Sequence, residues 1–199
     1  RLLSNGERAA FVSQIATASR HIIFWSLPVL VLFVVLRAQI VRTVLGTGQF
    51  DWIDTRLTAA ALALFVISVV AQSLMLLFVR GYYAAGKTLK PLIINVGSSF
   101  LIIVFSFLFI KTLESFQFFQ YFIEALFRVE GLPGTEILML PLAFSLGVLI
   151  NVVILWFVFK KDFNVPANGV WTTLKESFYG SIVAGFVAHQ LLRVLDDVF

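Results

Sequence analysis

The groups in this sequence that could move a proton or hold a metal are few: two histidines, His21 and His189, and eleven carboxylates, with no cysteine. The two histidines are far apart, and neither has an acid at metal-ligand spacing. No HExxH pair, glycine-rich phosphate loop or GxSxG elbow occurs. The lack of cysteine excludes disulfides, thiolate metal sites and cysteine nucleophiles. Covalent and hydrolytic catalysis are therefore unsupported, the chain does not read as an enzyme, and neither a metal nor a cofactor is expected. His21, next to Arg20, reads as a headgroup-level residue at a membrane boundary. His189, four residues before Arg193, is expected as a buried, hydrogen-bonded histidine.

What chemistry remains lies in polar residues set within apolar surroundings, which mark function by default in a membrane protein. Arg37 is the sharpest of them. It stands some fifteen residues into an apolar stretch, and at about 1.5 Å rise per residue this places it near the far headgroups. There its guanidinium either snorkels to the interface or faces a substrate. Gln72 is mid-stretch and needs a partner. Asn95, Ser98 and Ser99 cluster beside Gly97, and Ser145, Gly147 and Asn151 form a second group. Small and amide residues at such places cement helix contacts or line a pathway.

The elements that carry these residues are five long apolar stretches, roughly Ile22–Val41, Leu57–Val79, Pro91–Ile110, Ile137–Phe159 and Ser177–Leu195. Each approaches the ~20 residues a helix needs to cross hydrocarbon. Hydrophobic residues make up 60% of the chain and charged residues 13%, and mean hydropathy is +0.97. A soluble domain of this size could not hide 22 phenylalanines without large exposed apolar patches. Backbone in lipid must satisfy its own hydrogen bonds, and the alternation of a membrane β-strand is absent. The fold class is therefore all-α: a polytopic transmembrane bundle of about five spans, forming one helical membrane unit over residues 1–199. Membrane lipids are its surroundings. The scattered net charge of +4 reads as loop and headgroup contact, and no nucleic-acid partner is expected.

Lysine and arginine set the orientation. One side collects Arg1, Arg8, Arg20, Arg80, Lys87, Lys90, Lys160, Lys161 and Lys175, against Arg37, Arg42, Arg56, Lys111, Arg128 and Arg193 on the other. The richer side is expected in the cytoplasm. Pro28 should kink the first span, and Gly46-Thr47-Gly48 should end it, with Asp51 to Thr55 capping the next. Pro91 suits the start of the third span. Between the third and fourth spans, apolar residues at three- and four-residue spacing over residues 116–128 predict a short helix lying in the outer interface, the alternative being a continuation of the third span. Position 1 is Arg and no signal-peptide pattern opens the sequence, so it is expected to be a piece of a longer membrane protein.

One ordered set of motifs goes further. Leu27-Pro28 is followed by Leu36-Arg37-Ala38-Gln39-Ile40-Val41-Arg42, then Gly46-Thr47-Gly48-Gln49-Phe50-Asp51, then Thr55, Thr58 and Ala59, and then Arg80-Gly81-Tyr82-Tyr83 running to Lys90-Pro91. Ser145-Leu146-Gly147 with Asn151 follows. In order and spacing this resembles the MurJ (MviN) family of lipid II flippases, of the multidrug/oligosaccharidyl-lipid/polysaccharide exporter superfamily. The likeness covers about residues 1–165, with Pro28, Gly48, Phe50 and Pro91 as its structural landmarks.

The resemblance implies a bacterial cytoplasmic membrane protein of peptidoglycan (cell-wall) synthesis that works by alternating access. This chain would form part of the carboxy-terminal lobe, with the amino-terminal lobe as partner and an undecaprenyl-diphosphate-linked glycan as substrate. Arg37, Arg80, Tyr83, Lys87, Lys90 and Asn151 are then the candidate headgroup contacts. The lysines and Arg80 would meet either that diphosphate or inner-leaflet phospholipid. The family's essential arginines and acid lie on helices that are not in this sequence, and its usual turn acid is replaced around Gly86-Lys87. Positions implied for sodium ligands fall on Ile102, Ser106 and Phe144, two of which have no side-chain ligand, so sodium coupling is not expected there. Two rival readings are an exporter of another polyprenyl-linked oligosaccharide and a non-transporting scaffold using the aromatic segment Phe116–Phe127.

Overall fold

The structure is a computed structural model and describes residues 8–46, 51–165 and 168–198. Its elements are helices α1 (Arg8–Val35), α2 (Arg37–Leu45), α3 (Trp52–Ala84), α4 (Leu89–Ser115), α5 (Gln117–Phe127), α6 (Met139–Phe163) and α7 (Asn168–Val198), with one 3-10 turn at Thr135–Leu138 before α6. No strand occurs among the described residues. Four of these segments are long and apolar enough to cross a membrane: Ala9–Val35, Trp52–Ala84, Leu89–Ser115 and Thr135–Phe163. The chain is a multi-pass helical membrane protein.

The fifth expected span is helical, inside α7, but is not among those four. His189, Gln190 and Arg193, with Gly180 and Gly185, dilute its apolar run. The first span also differs from expectation. Its helix begins at Arg8 and runs without interruption through Pro28. The break comes at Leu36 (φ −88°, ψ 5°), which separates α1 from α2. Hydrogen bonds still cross it, from Leu36 N–H to the Leu32 carbonyl at 2.8 Å and from Ile40 N–H to the Leu36 carbonyl at 2.9 Å. Arg37 thus opens a separate short helix beyond the spanning one.

Other punctuation follows the sequence. Gly46 caps α2. Asp51 and Asp54 form a reciprocal capping box on α3, with Asp54 N–H donating to Asp51 at 2.9 Å and Asp51 N–H to Asp54 at 3.3 Å. Gly48 and Phe50 lie outside the described residues. Pro91 sits buried in the first turn of α4. The predicted interfacial helix is α5, set off from α4 by extended backbone at Phe116 (φ −124°, ψ 98°).

Packing arranges the long helices in a row: α7 on α1, α1 on α3, α3 on α6, and α6 on α4, with α2 against α3. Lipid offers these helices no hydrophobic drive to associate, so close approach and hydrogen bonds must hold them. Gly147 supplies one approach, since a Cβ there would stand 2.2 Å from Ile102 Cγ1 of α4. Gly185 supplies another, where a Cβ would stand 2.4 Å from Val31 Cγ1 of α1. Three hydroxyl and amide bonds cross the middle of the row. Ser98 donates to the Gly147 carbonyl at 3.1 Å, Ser145 to the Leu64 carbonyl at 2.6 Å, and Asn151 Nδ2 to Asn95 Oδ1 at 3.0 Å. Large apolar side chains such as Trp25, Phe100, Phe107, Phe157 and Phe186 point outward, as a lipid-facing surface requires.

Candidate functional site

Two charged clusters sit at opposite ends of α3. The first gathers where α3 turns into α4 and α6 ends. The turn is only Ala85–Thr88, with Gly86 at φ 69°. Lys90 Nζ donates to Asp162 Oδ1 at 2.7 Å and also reaches Oδ2. Tyr82 hydroxyl donates to Asp162 Oδ2 at 3.1 Å. The Tyr82 ring is fully buried and meets Phe159 edge-on, centroids 5.1 Å apart, and Phe163 at 5.6 Å. Lys87 Nζ lies 5.4 Å from the centroid of Phe163, a cation–π contact. Arg80 and Tyr83 are exposed on the last turns of α3.

Four of the candidate contacts, Arg80, Tyr83, Lys87 and Lys90, therefore share this end. Lys90 is already held by a carboxylate. Asn151 lies between the ends, where its Nδ2 donates to Asn95 of α4 and its Oδ1 is buried without a hydrogen-bond partner among the described residues. Asp162, which organises the cluster, is absent from the sequence reading. A signal for it existed: the third span starts and the fourth ends on the same face, so Lys90 and Asp162 were bound to be neighbours in height.

The second cluster lines a pocket of about 490 Å³ formed by α2, α3, the end of α5 and α7. Arg37, Arg56, Arg128, His189 and Arg193 all line it, with Trp52 among the apolar walls. The chain places them there by ordinary local rules. Arg37 begins α2 directly after the Leu36 break. Arg56 lies one turn into the capped start of α3. Arg128 ends α5 in the left-handed region (φ 58°, ψ 44°). Arg37 Nη2 donates to the Phe127 carbonyl at 3.4 Å, and Arg56 Nη2 to the Arg128 carbonyl. These carbonyls form the negative end of α5. Burial, and then the nearby Arg128 charge, hold the Arg37 guanidinium below its ordinary pKa.

His189 was expected buried, but it is exposed in this pocket, because α7 turns that face toward α2 and not into a helix contact. Arg56 and Arg128 entered the sequence reading only as charges that set the orientation, and Arg193 as one of these and as a neighbour of His189 on the fifth span. Nothing in their local sequence links positions so far apart in the chain. Among the described residues no group of three or more His, Cys, Asp or Glu gathers as a metal ion would need. Ile102 packs on Gly147 and Phe144 on Phe65, while Ser106 donates to the Ile102 carbonyl at 2.8 Å. That triad is occupied with packing.

The class defined by these features is a polytopic helical membrane protein with basic clusters at both ends of a lipid-facing bundle. The family model described as Lipid II flippase MurJ matches residues 1–118, from α1 through α4, and the chain belongs to that family. By its description the family moves a lipid and does not transform one. No curated protein and no solved structure matches the chain.

Proposed function

We propose that this chain forms part of one lobe of a lipid II flippase that works by alternating access across the bacterial cytoplasmic membrane. The observation that carries this reading is the family match across α1–α4. The geometry supports it in a particular way. Apolar helix faces suit a polyprenyl tail that stays in lipid, while both ends of the bundle's helices offer cationic groups to a diphosphate. By the lysine and arginine bias, the Lys87/Lys90 end lies in the cytoplasm and the Arg37 pocket at the outer surface. Lys87, Arg80 and Tyr83 then stand at the leaflet from which the substrate is taken.

The absent lobe would supply the remaining wall of the transport cavity, and the α1–α2 break at Leu36 is a natural place for the outer end to flex. The test is reconstitution of the native protein that carries this sequence into liposomes with labelled lipid II on one face. Transfer to the other leaflet, abolished by locking the two lobes with an engineered crosslink, is the expected result. Lipid II that stays put while another polyprenyl-linked glycan crosses would transfer the assignment to an exporter of that glycan.

A further inference from the structure

The pocket at the α2/α5 end concentrates positive charge among its described lining residues. Its size falls within the ~300–1,000 Å³ usual for ligand clefts. Four arginines and one histidine line it, and no Asp or Glu is among its described lining residues. Three acids of the neighbouring segments have partners of their own. Asp51 and Asp54 cap each other and α3. Glu124 is buried and accepts from Gln120 at 2.8 Å and from Thr135 at 3.5 Å.

Capping the carbonyls of α5 explains one N–H of Arg37 and one of Arg56. It leaves most of their donors, since a guanidinium carries five in a fixed fork. Nor does capping explain why α7 brings Arg193 and His189 to the opposite wall. Like charges gathered this way repel one another unless an anion joins them. Planar forks converging from several elements match the oxygens of a phosphate bidentately, and at headgroup depth lipid phosphate is the anion at hand. Trp52 on the rim, with Arg42 5.2 Å above its ring, is the pairing that interfacial residues adopt at headgroup depth.

We propose that this pocket is a binding site for the phosphate or pyrophosphate group of a lipid headgroup, held by Arg37, Arg56, Arg128 and Arg193. The inference rests on the flippase reading only for which lipid brings the group. If that reading holds, the pocket is a station for the diphosphate at the outer leaflet, away from the groups that receive it inside.

The experiment uses the native protein in nanodiscs of phosphatidylcholine, with undecaprenyl diphosphate, phosphatidylglycerol and inorganic pyrophosphate as separate probes. Binding is read by native mass spectrometry or ligand-induced thermal shift. The triple variant Arg37→Gln/Arg56→Gln/Arg193→Gln is expected to weaken undecaprenyl diphosphate binding at least tenfold, and Lys111→Gln, an exposed charge outside the pocket, to leave it within twofold. Arg193→Lys, which keeps the charge and loses the fork, is expected to fall between them and guards against misfolding of the triple variant.

Competition by inorganic pyrophosphate together with indifference to phosphatidylglycerol identifies a diphosphate site. Equal competition by phosphatidylglycerol identifies a general lipid-phosphate site. Wild-type affinity in a folded triple variant overturns the proposal. Because the readout is binding without transport, loss of this site and failure of the flippase assignment are separate results.

Discussion

At the α3–α4 turn, Lys90 meets Asp162 at 2.7 Å and Tyr82 closes on the same carboxylate at 3.1 Å. At the far end, Arg37 and Arg56 meet the backbone carbonyls of Phe127 and Arg128, and the charged residues described as lining the pocket with them are all basic. One cluster pairs Lys90 with Asp162 and welds three helices above an aromatic core. The other leaves its charge for something outside the chain. Proteins spend side chains on their own stability or hold them ready for a ligand, and the two uses predict opposite responses to mutation.

Removing the core under the paired end should have the largest effect. Phe159→Ala takes out a fully buried ring that packs on Phe78, Tyr82 and Phe163. It is expected to cost about 3 kcal/mol in detergent unfolding, by the usual range for buried aromatics. Asp162→Ala strips the carboxylate from Lys90 and Tyr82. Lys90 remains half-exposed and Asp162 less so, so the cost belongs between surface and buried ion pairs, about 1–2 kcal/mol. A melting temperature equal to wild type would show that this end is as loosely coupled as the other.

Tyr82→Phe removes one hydrogen bond and keeps the ring, and about 1 kcal/mol is expected. At the arginine pocket the sign should reverse. Arg128→Gly relieves a left-handed residue and one like charge at once. A gain of roughly 0.5 kcal/mol is expected, alongside weaker binding of diphosphate lipid. Should it destabilise instead, the pocket arginines are structural and the contrast between the ends dissolves.

Much of the fold was legible because lipid imposes a strong rule: about twenty apolar residues, all helical. The capping box at Asp51 and the separate helix α5 were visible from local chemistry alone. The α1–α2 break was not. Pro28 is the conspicuous breaker, yet the helix passes through it, and Leu36 carries no comparable signal. α7 was read as a span from hydropathy, and its His189, Gln190 and Arg193 weaken that reading.

The candidate site was legible only in part. Arg37, Lys87 and Lys90 stand out as charges beside apolar runs. Their partners do not, because Asp162 is 72 residues from Lys90 and Phe127 is 90 from Arg37. Such pairings are set by the order of helices in the row, which hydropathy does not encode.

That order also bears on how the molecule is made. α1 emerges from the ribosome well before its neighbour α7, and the groove beside Val31 that receives Gly185 has no α7 against it until then. A nascent chain halted after α6 would present that uncovered flank, so biogenesis has a built-in waiting period.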